Sequence, residues 1–196
     1  MDAAPNVEAE VTAVDAGAPV ADAGAPRPPP KKVLHAGDSF VGGHGGLTRA
    51  LEARFASGET TFVRDWWTSI TVEGYARTKR LDELLKEHDP DLVILTLGAN
   101  DMYVPVPQSL APFVRAIVKK IGARECYWIT PIQWTKAKPT GIVQVIKENA
   151  APCKVFEGDG LKLDLAGDHV HPSNHGGEQW ADAFFSFYLH AREARL

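Results

Sequence analysis

The stretch Val33-Leu34-His35-Ala36-Gly37-Asp38-Ser39-Phe40 decides how the chain is read. It begins as an apolar run behind a proline-rich leader and ends in a small polar cluster, with the glycine-rich run Gly42-Gly43-His44-Gly45-Gly46 close behind. An apolar run that stops at glycine and short polar residues reads as a buried strand opening into a loop. In open α/β sheets, chemistry collects in the loops at the carboxyl ends of the strands. Ser39 stands at such an end and is the first candidate nucleophile. Gly-Asp-Ser also spells an ordinary turn, so the stretch by itself leaves both readings open.

From Lys32 onward, strand-like and helix-like segments alternate. The first strand covers about 32–37, and a helix follows over 46–56 with Leu47, Ala50, Leu51 and Phe55 on one face. Thr61-Phe62-Val63 starts a second strand that ends in Arg64-Asp65-Trp66-Trp67. One helix is expected over 73–88, stopped by Asp89-Pro90. Asp91–Leu97 is the clearest strand, and its near-continuous apolar residues imply cover on both faces. A helix over 110–121 ends at Gly122. A strand at 126–130, a helix at 140–150, a strand at 154–157 and a helix at 176–193 complete the pattern. The aromatic stripe Trp180, Phe184, Phe187 and Tyr188 on the last helix reads as core packing. Repeated β-α alternation predicts a three-layer α/β/α sandwich around a flavodoxin-like, parallel, five-stranded sheet.

Residues 1–32 are different material. Ala, Pro, Asp and Gly dominate, Asp-Ala-Gly-Ala-Pro occurs twice, and Pro28-Pro29-Pro30 closes the segment. So little apolar side chain cannot offset the entropy of ordering, which predicts a disordered tether ahead of one domain over 33–196. Such leaders resemble the spacers of bacterial exported or lipid-anchored domains. A periplasmic or envelope-tethered location is therefore expected, although the sequence carries neither a signal peptide nor a lipobox cysteine.

The 196 residues are 44% hydrophobic and 23% charged, a globular composition. A net charge of −4 argues against a nucleic-acid surface. No apolar run has transmembrane length. Cys126 and Cys153 are the only cysteines and lack zinc spacing, so neither a structural metal nor a cofactor is expected. Each stands just before a strand-like run. Two buried thiols are the expected state, with a disulfide open to them in an oxidising compartment.

Two more polar clusters fall at strand ends: Gly98-Ala99-Asn100-Asp101 after the third strand, and Asp168-His169-Val170-His171 in the loop before the last helix. Serine, histidine, aspartate and asparagine are the parts that acyl transfer needs. A hydroxyl attacks, an imidazole takes its proton, a carboxylate orients the imidazole, and amide donors hold the oxyanion.

In these three clusters, in this order, the chain from Lys32 to the C-terminus resembles the SGNH (GDSL) hydrolases. The resemblance implies the SGNH hydrolase fold and a metal-independent esterase. Ser39 would be the nucleophile, His171 the base and Asp168 its orienter. The oxyanion hole would be built from the Ser39 backbone N–H, the Asn100 side chain and a backbone N–H from the second block. That block usually supplies a glycine. Here the loop reads Trp66-Trp67-Thr68-Ser69-Ile70-Thr71 before Gly74, and Ser69 is preferred to Gly74 as the donor. Asp38 and Asp101 would shape their loops.

The resemblance implies a small-molecule or polysaccharide ester as substrate, including O-acyl groups of cell-envelope carbohydrate or lipid. An O-acyltransferase on the same triad and a non-catalytic binding domain of the same fold are the alternatives. The glycine run lacks the Lys-Ser/Thr of a phosphate loop. No Gly-x-Ser-x-Gly elbow accompanies His44, which excludes the α/β-hydrolase reading. His169 is adjacent to Asp168 and should point elsewhere, His175 should be a solvated neighbour of the helix start, and His35 a hydrogen-bonded core residue. Trp66, Trp67 and Trp134 fall near the expected site, as packing or as cleft lining.

Overall fold

The computed structural model describes residues 28–42, 46–56 and 59–193. Five strands, β1 Lys32–Gly37, β2 Thr61–Trp66, β3 Leu92–Thr96, β4 Glu125–Ile129 and β5 Lys154–Phe156, form one sheet in the order β2-β1-β3-β4-β5. Every pairing is parallel. The helices are α1 Gly46–Phe55, α2 Val72–Arg77, α3 Arg80–His88, α4 Ala111–Ile121, α5 Ile142–Asn149 and α6 Asn174–Glu193.

Side chains alternate across each strand, and the core divides accordingly. Leu34, Val93, Leu95 and Trp128 pack with α2–α5 on one face. Val33, Leu92, Ile94 and Tyr127 pack with α1 and α6 on the other. All five residues of β3 are buried, which matches its continuous apolar run. The three-layer α/β/α architecture is as the alternation predicts.

The strand order reverses between β1 and β3, which is where open α/β sheets form a crevice outside the carboxyl ends. β1 leads to Ser39 and β3 to Asn100, so the two loops open side by side. Gly37 is what lets them meet. It stands at φ 153°, and a Cβ there would lie 1.9 Å from the Thr96 carbonyl oxygen. The neighbouring Asp38 N–H donates to that same oxygen at 3.0 Å.

Two expectations need correction. The single helix over 73–88 is two, α2 and α3, interrupted at Thr78-Lys79. The Thr78 hydroxyl and N–H both donate to the Tyr75 carbonyl, and Lys120 of α4 donates to the Thr78 carbonyl. Those bonds end one helix without proline or glycine. Cys126 and Cys153 are not free thiols but a disulfide. The register pairs Tyr127 with Lys154, so the residues just before them lie abreast, with Cα atoms 4.7 Å apart. The bond ties the short edge strand β5 to β4.

The tether expected over 1–32 lies largely outside the described residues. Of its last part, Lys31 and Lys32 donate their N–H groups to Asp91, and Arg192 donates to the Pro28 carbonyl. His44 also lies outside the described residues. No helix among those described is long and apolar enough to cross a membrane.

Candidate active site

Ser39 follows β1 in a tight turn. Asp38 caps that turn, its Oδ1 accepting the Phe40 N–H at 2.9 Å. Its Oδ2 accepts the N–H groups of Gly98 and Ala99, each at 3.0 Å, so one carboxylate holds the Ser39 turn and the Asn100 loop together. Burial is the main influence on Asp38 and pushes its pKa up to about 6, against the pull of those three donors. Asp101, also buried and also raised to about 6 mainly by desolvation, accepts the Val72 N–H at 2.9 Å. The Asn100 loop is thereby fastened to α2 and to the Ser69 turn before it.

The loop between β5 and α6 brings the third cluster over Ser39. His171 Nε2 lies 2.9 Å from Ser39 Oγ, and His171 Nδ1 lies 2.7 Å from Asp168 Oδ2. Asp168 Oδ1 accepts the N–H groups of Val170 and His171 at 2.9 and 3.0 Å. The hydrogen bond to His171, followed by those two backbone donors, holds the Asp168 carboxyl well below the ordinary carboxylate range. The loop is closed beneath the pair by the bridge between Leu165 and Pro172 and by the Ala166 N–H donating to the His171 carbonyl. The Phe40 ring stands edge-on to the His171 ring, with centroids 5.4 Å apart, and fixes its plane.

On the loop after β3, the Asn100 side-chain N–H₂ donates one hydrogen to the Ile70 carbonyl at 2.9 Å. An amide nitrogen carries two, so a second remains to offer. Ser69 lies in the turn closed by the Ile70 N–H on the Trp67 carbonyl, at φ 61°. That left-handed conformation favours glycine. Among the described residues, neither the Ser39 nor the Ser69 N–H donates to a protein acceptor. Gly74 sits inside α2, where its N–H is taken by the Thr71 hydroxyl capping that helix.

Of the sequence candidates, then, Ser39, His171 and Asp168 form one hydrogen-bonded line; Asn100 lies on the loop that Asp38 ties to the Ser39 turn, Ser69 precedes the Ile70 that holds the Asn100 amide, and the Gly74 N–H is taken up in capping α2. His169 is exposed, at φ 57°. His175 pairs at 2.6 Å with Asp164 near the start of α6, and that hydrogen bond raises its pKa. His35 is buried between the hydroxyls of Thr48 and Thr96, and desolvation pulls its pKa down to about 3. Among the described residues, no group of three His, Cys, Asp or Glu side chains is arranged to hold a metal. Sequence reading did not find the Phe40–His171 contact or the Ile70 carbonyl that holds Asn100. Neither carries a sequence signal, because both depend on how separate loops meet.

A groove of about 560 Å³ opens beside Ser39 and His171, lined also by Gly42, Leu47, Ser173 and Asn174. A larger one of about 770 Å³ lies at the far edge of the sheet, around Pro30, Asp91 and Arg124, away from the polar cluster.

No protein-family model and no curated protein sequence matches the chain. Solved structures do. The inhibitor-bound aryl esterase of M. smegmatis is 15% identical, with a TM-score of 0.66 over 81% of this chain and 99% of that one. A lipolytic protein of the G-D-S-L family from Desulfitobacterium hafniense DCB-2 is 20% identical, with a TM-score of 0.59 over 79% of this chain and 97% of that one. This is the SGNH-hydrolase fold. The acetyl xylan esterase AlAXEase shares it at 19% identity and a TM-score of 0.61, over 80% of this chain and 98% of its own. In this chain, Gly37-Asp38-Ser39 stands at the end of β1 and Gly98-Ala99-Asn100-Asp101 follows β3.

Proposed function

We propose that the chain is a serine hydrolase of carboxylic (O-acyl) esters, acting through an acyl-enzyme with Ser39, His171 and Asp168 as its triad. The observation that carries this reading is the continuous line Ser39 Oγ, His171 Nε2, His171 Nδ1, Asp168 Oδ2, with spacings of 2.9 and 2.7 Å. Ser39 Oγ attacks the acyl carbon while its proton passes to His171 Nε2. Asp168 keeps the other ring proton on Nδ1 and faces the imidazolium that forms. The oxyanion takes hydrogen bonds from the Ser39 N–H, the Asn100 side chain and the Ser69 N–H. Collapse of the tetrahedral intermediate breaks the bond to the alkoxy oxygen, which leaves with the proton from Nε2. Water then attacks the acyl-Ser39 ester, gives its proton to Nε2, and releases the acid and free Ser39.

No step requires a metal or cofactor. An O-acyltransferase would use the same steps with a sugar or other hydroxyl replacing water, and product analysis with an added acceptor separates the two. The test of the reading is hydrolysis of p-nitrophenyl acetate by the wild type and by Ser39→Ala. Turnover by the wild type and its loss in the variant are expected; full activity in Ser39→Ala would overturn the nucleophile.

A further inference from the structure

Large exposed apolar side chains are not scattered over this protein. Among the described residues there are five: Trp66, Trp67, Tyr103, Val106 and Leu189. All but Leu189 sit at the end of β2 or on the two loops that meet at Asn100. The Trp67 turn reaches it through the Ile70 carbonyl, and Tyr103 follows it by three residues. Exposed aromatics concentrated at one rim mark a binding surface.

The rim has a built corner. The Tyr103 and Trp134 rings stand 6.0 Å apart at 79°, nearly perpendicular. Trp134 in turn meets Phe40 at 5.3 Å, and Phe40 meets the His171 ring, so an aromatic series runs from the proposed base to the surface. The corner is fixed by polar bonds. Tyr103 and Thr135 share a hydrogen bond of 2.7 Å between their hydroxyls, and Gln133 donates to the carbonyls of Thr135 and Ala137 across the Trp134 turn.

We infer that the corner of Tyr103 and Trp134, with Trp67 on the neighbouring loop, binds the sugar ring of an O-acylated carbohydrate as the alcohol portion of the substrate. This rests on the ester-hydrolase reading. The leaving oxygen must take its proton from His171 Nε2, so the alcohol lies on the side of the His171–Phe40–Trp134 series. Two perpendicular aromatic walls suit a flat, C–H-faced ring, whereas a flexible alkyl chain gains little from that shape. Thr68 and Gln133, next in sequence to Trp67 and Trp134, are exposed, and their hydroxyl and amide-oxygen groups suit the hydroxyls of a sugar.

Matched acetate esters test this: methyl tetra-O-acetyl-glucoside, with a ring, against sorbitol hexaacetate, without one, compared as kcat/KM per ester. The wild type should prefer the ring about ten-fold or more. Tyr103→Ala and Trp67→Ala should each cut that preference several-fold, chiefly through KM. Equal rates for ring and open chain, a preference unchanged in both variants, or a preference for p-nitrophenyl dodecanoate over the acetylated sugar would each overturn the inference. Binding is read separately on Ser39→Ala by tryptophan fluorescence. Saturable quenching by the acetylated glucoside, absent with sorbitol hexaacetate, supports the subsite even if no ester is turned over, and its absence overturns the subsite even if simple esters are hydrolysed.

Discussion

Asp168→Asn changes one atom and should disable the site through the position of a single proton. In the wild type, Asp168 Oδ1 accepts from the Val170 and His171 N–H groups, and Oδ2 faces His171 Nδ1. An asparagine must choose which end faces which. Turning its N–H₂ toward the two backbone donors would set donor against donor twice, so its oxygen stays there and its N–H₂ faces Nδ1. The ring then accepts at Nδ1 and carries its proton on Nε2, against Ser39 Oγ, where no lone pair remains to take the serine proton. A triad held in the wrong tautomer loses about 10⁴ in kcat. Steady-state hydrolysis of p-nitrophenyl acetate near neutral pH should show that loss with KM nearly unchanged, and circular dichroism should match the wild type. A variant that keeps more than about a tenth of the wild-type kcat would refute Asp168 as the orienter, since such a loss is far below what a wrong tautomer costs.

Asn100→Ala, which removes one proposed oxyanion donor, should lower kcat by about 10²–10³ in the same assay. Ser69→Gly should retain that activity and raise the unfolding free energy by about 1 kcal/mol in a urea titration, because glycine meets no penalty at the φ of 61° that serine holds there. Loss of activity in Ser69→Gly would remove the Ser69 backbone as donor. Asp38 has a folded pKa of about 6 against 3.8 unfolded, so between those values the native state binds more protons and stability falls as pH rises. The change is roughly 3 kcal/mol at 1.36 kcal/mol per pKa unit. The melting temperature of Asp38→Asn should therefore depend less on pH between about 4 and 7 than that of the wild type, and equal slopes would contradict a buried, titrating Asp38. Replacing both Cys126 and Cys153 by alanine should cost about 3–4 kcal/mol in denaturant unfolding, from the loop that the disulfide closes; unchanged stability would mean that the bond does not form.

The architecture was legible because its signals are local. Apolar runs mark strands, 3.6-residue stripes mark helices, and β1 and β3 each run into a small polar cluster. The break between α2 and α3 was not legible, because Thr78 and Lys79 are unremarkable in sequence and the interruption depends on Lys120, which is 42 residues away. The disulfide was half legible: strand order could set the cysteines at one sheet edge, but the β4–β5 register was needed to put them abreast. At the site, residue types and their order singled out Ser39, Asn100, Asp168 and His171 as candidates. Asp38 and Asp101 were expected to shape their loops, but which loops they join shows only when Gly98 and Ala99 arrive beside Asp38 and Val72 beside Asp101. Ser69 shows the limit from the other direction. Its side chain breaks the expected glycine pattern, while its backbone keeps the glycine conformation.

Covalent labelling of Ser39 tests the central claim most directly. A fluorophosphonate should add one adduct per chain by intact mass, peptide mapping should place it on the segment holding Ser39, and Ser39→Ala should not label. Wild-type protein that is folded yet never labels, or an adduct that persists in Ser39→Ala, would contradict a nucleophilic serine at the end of β1.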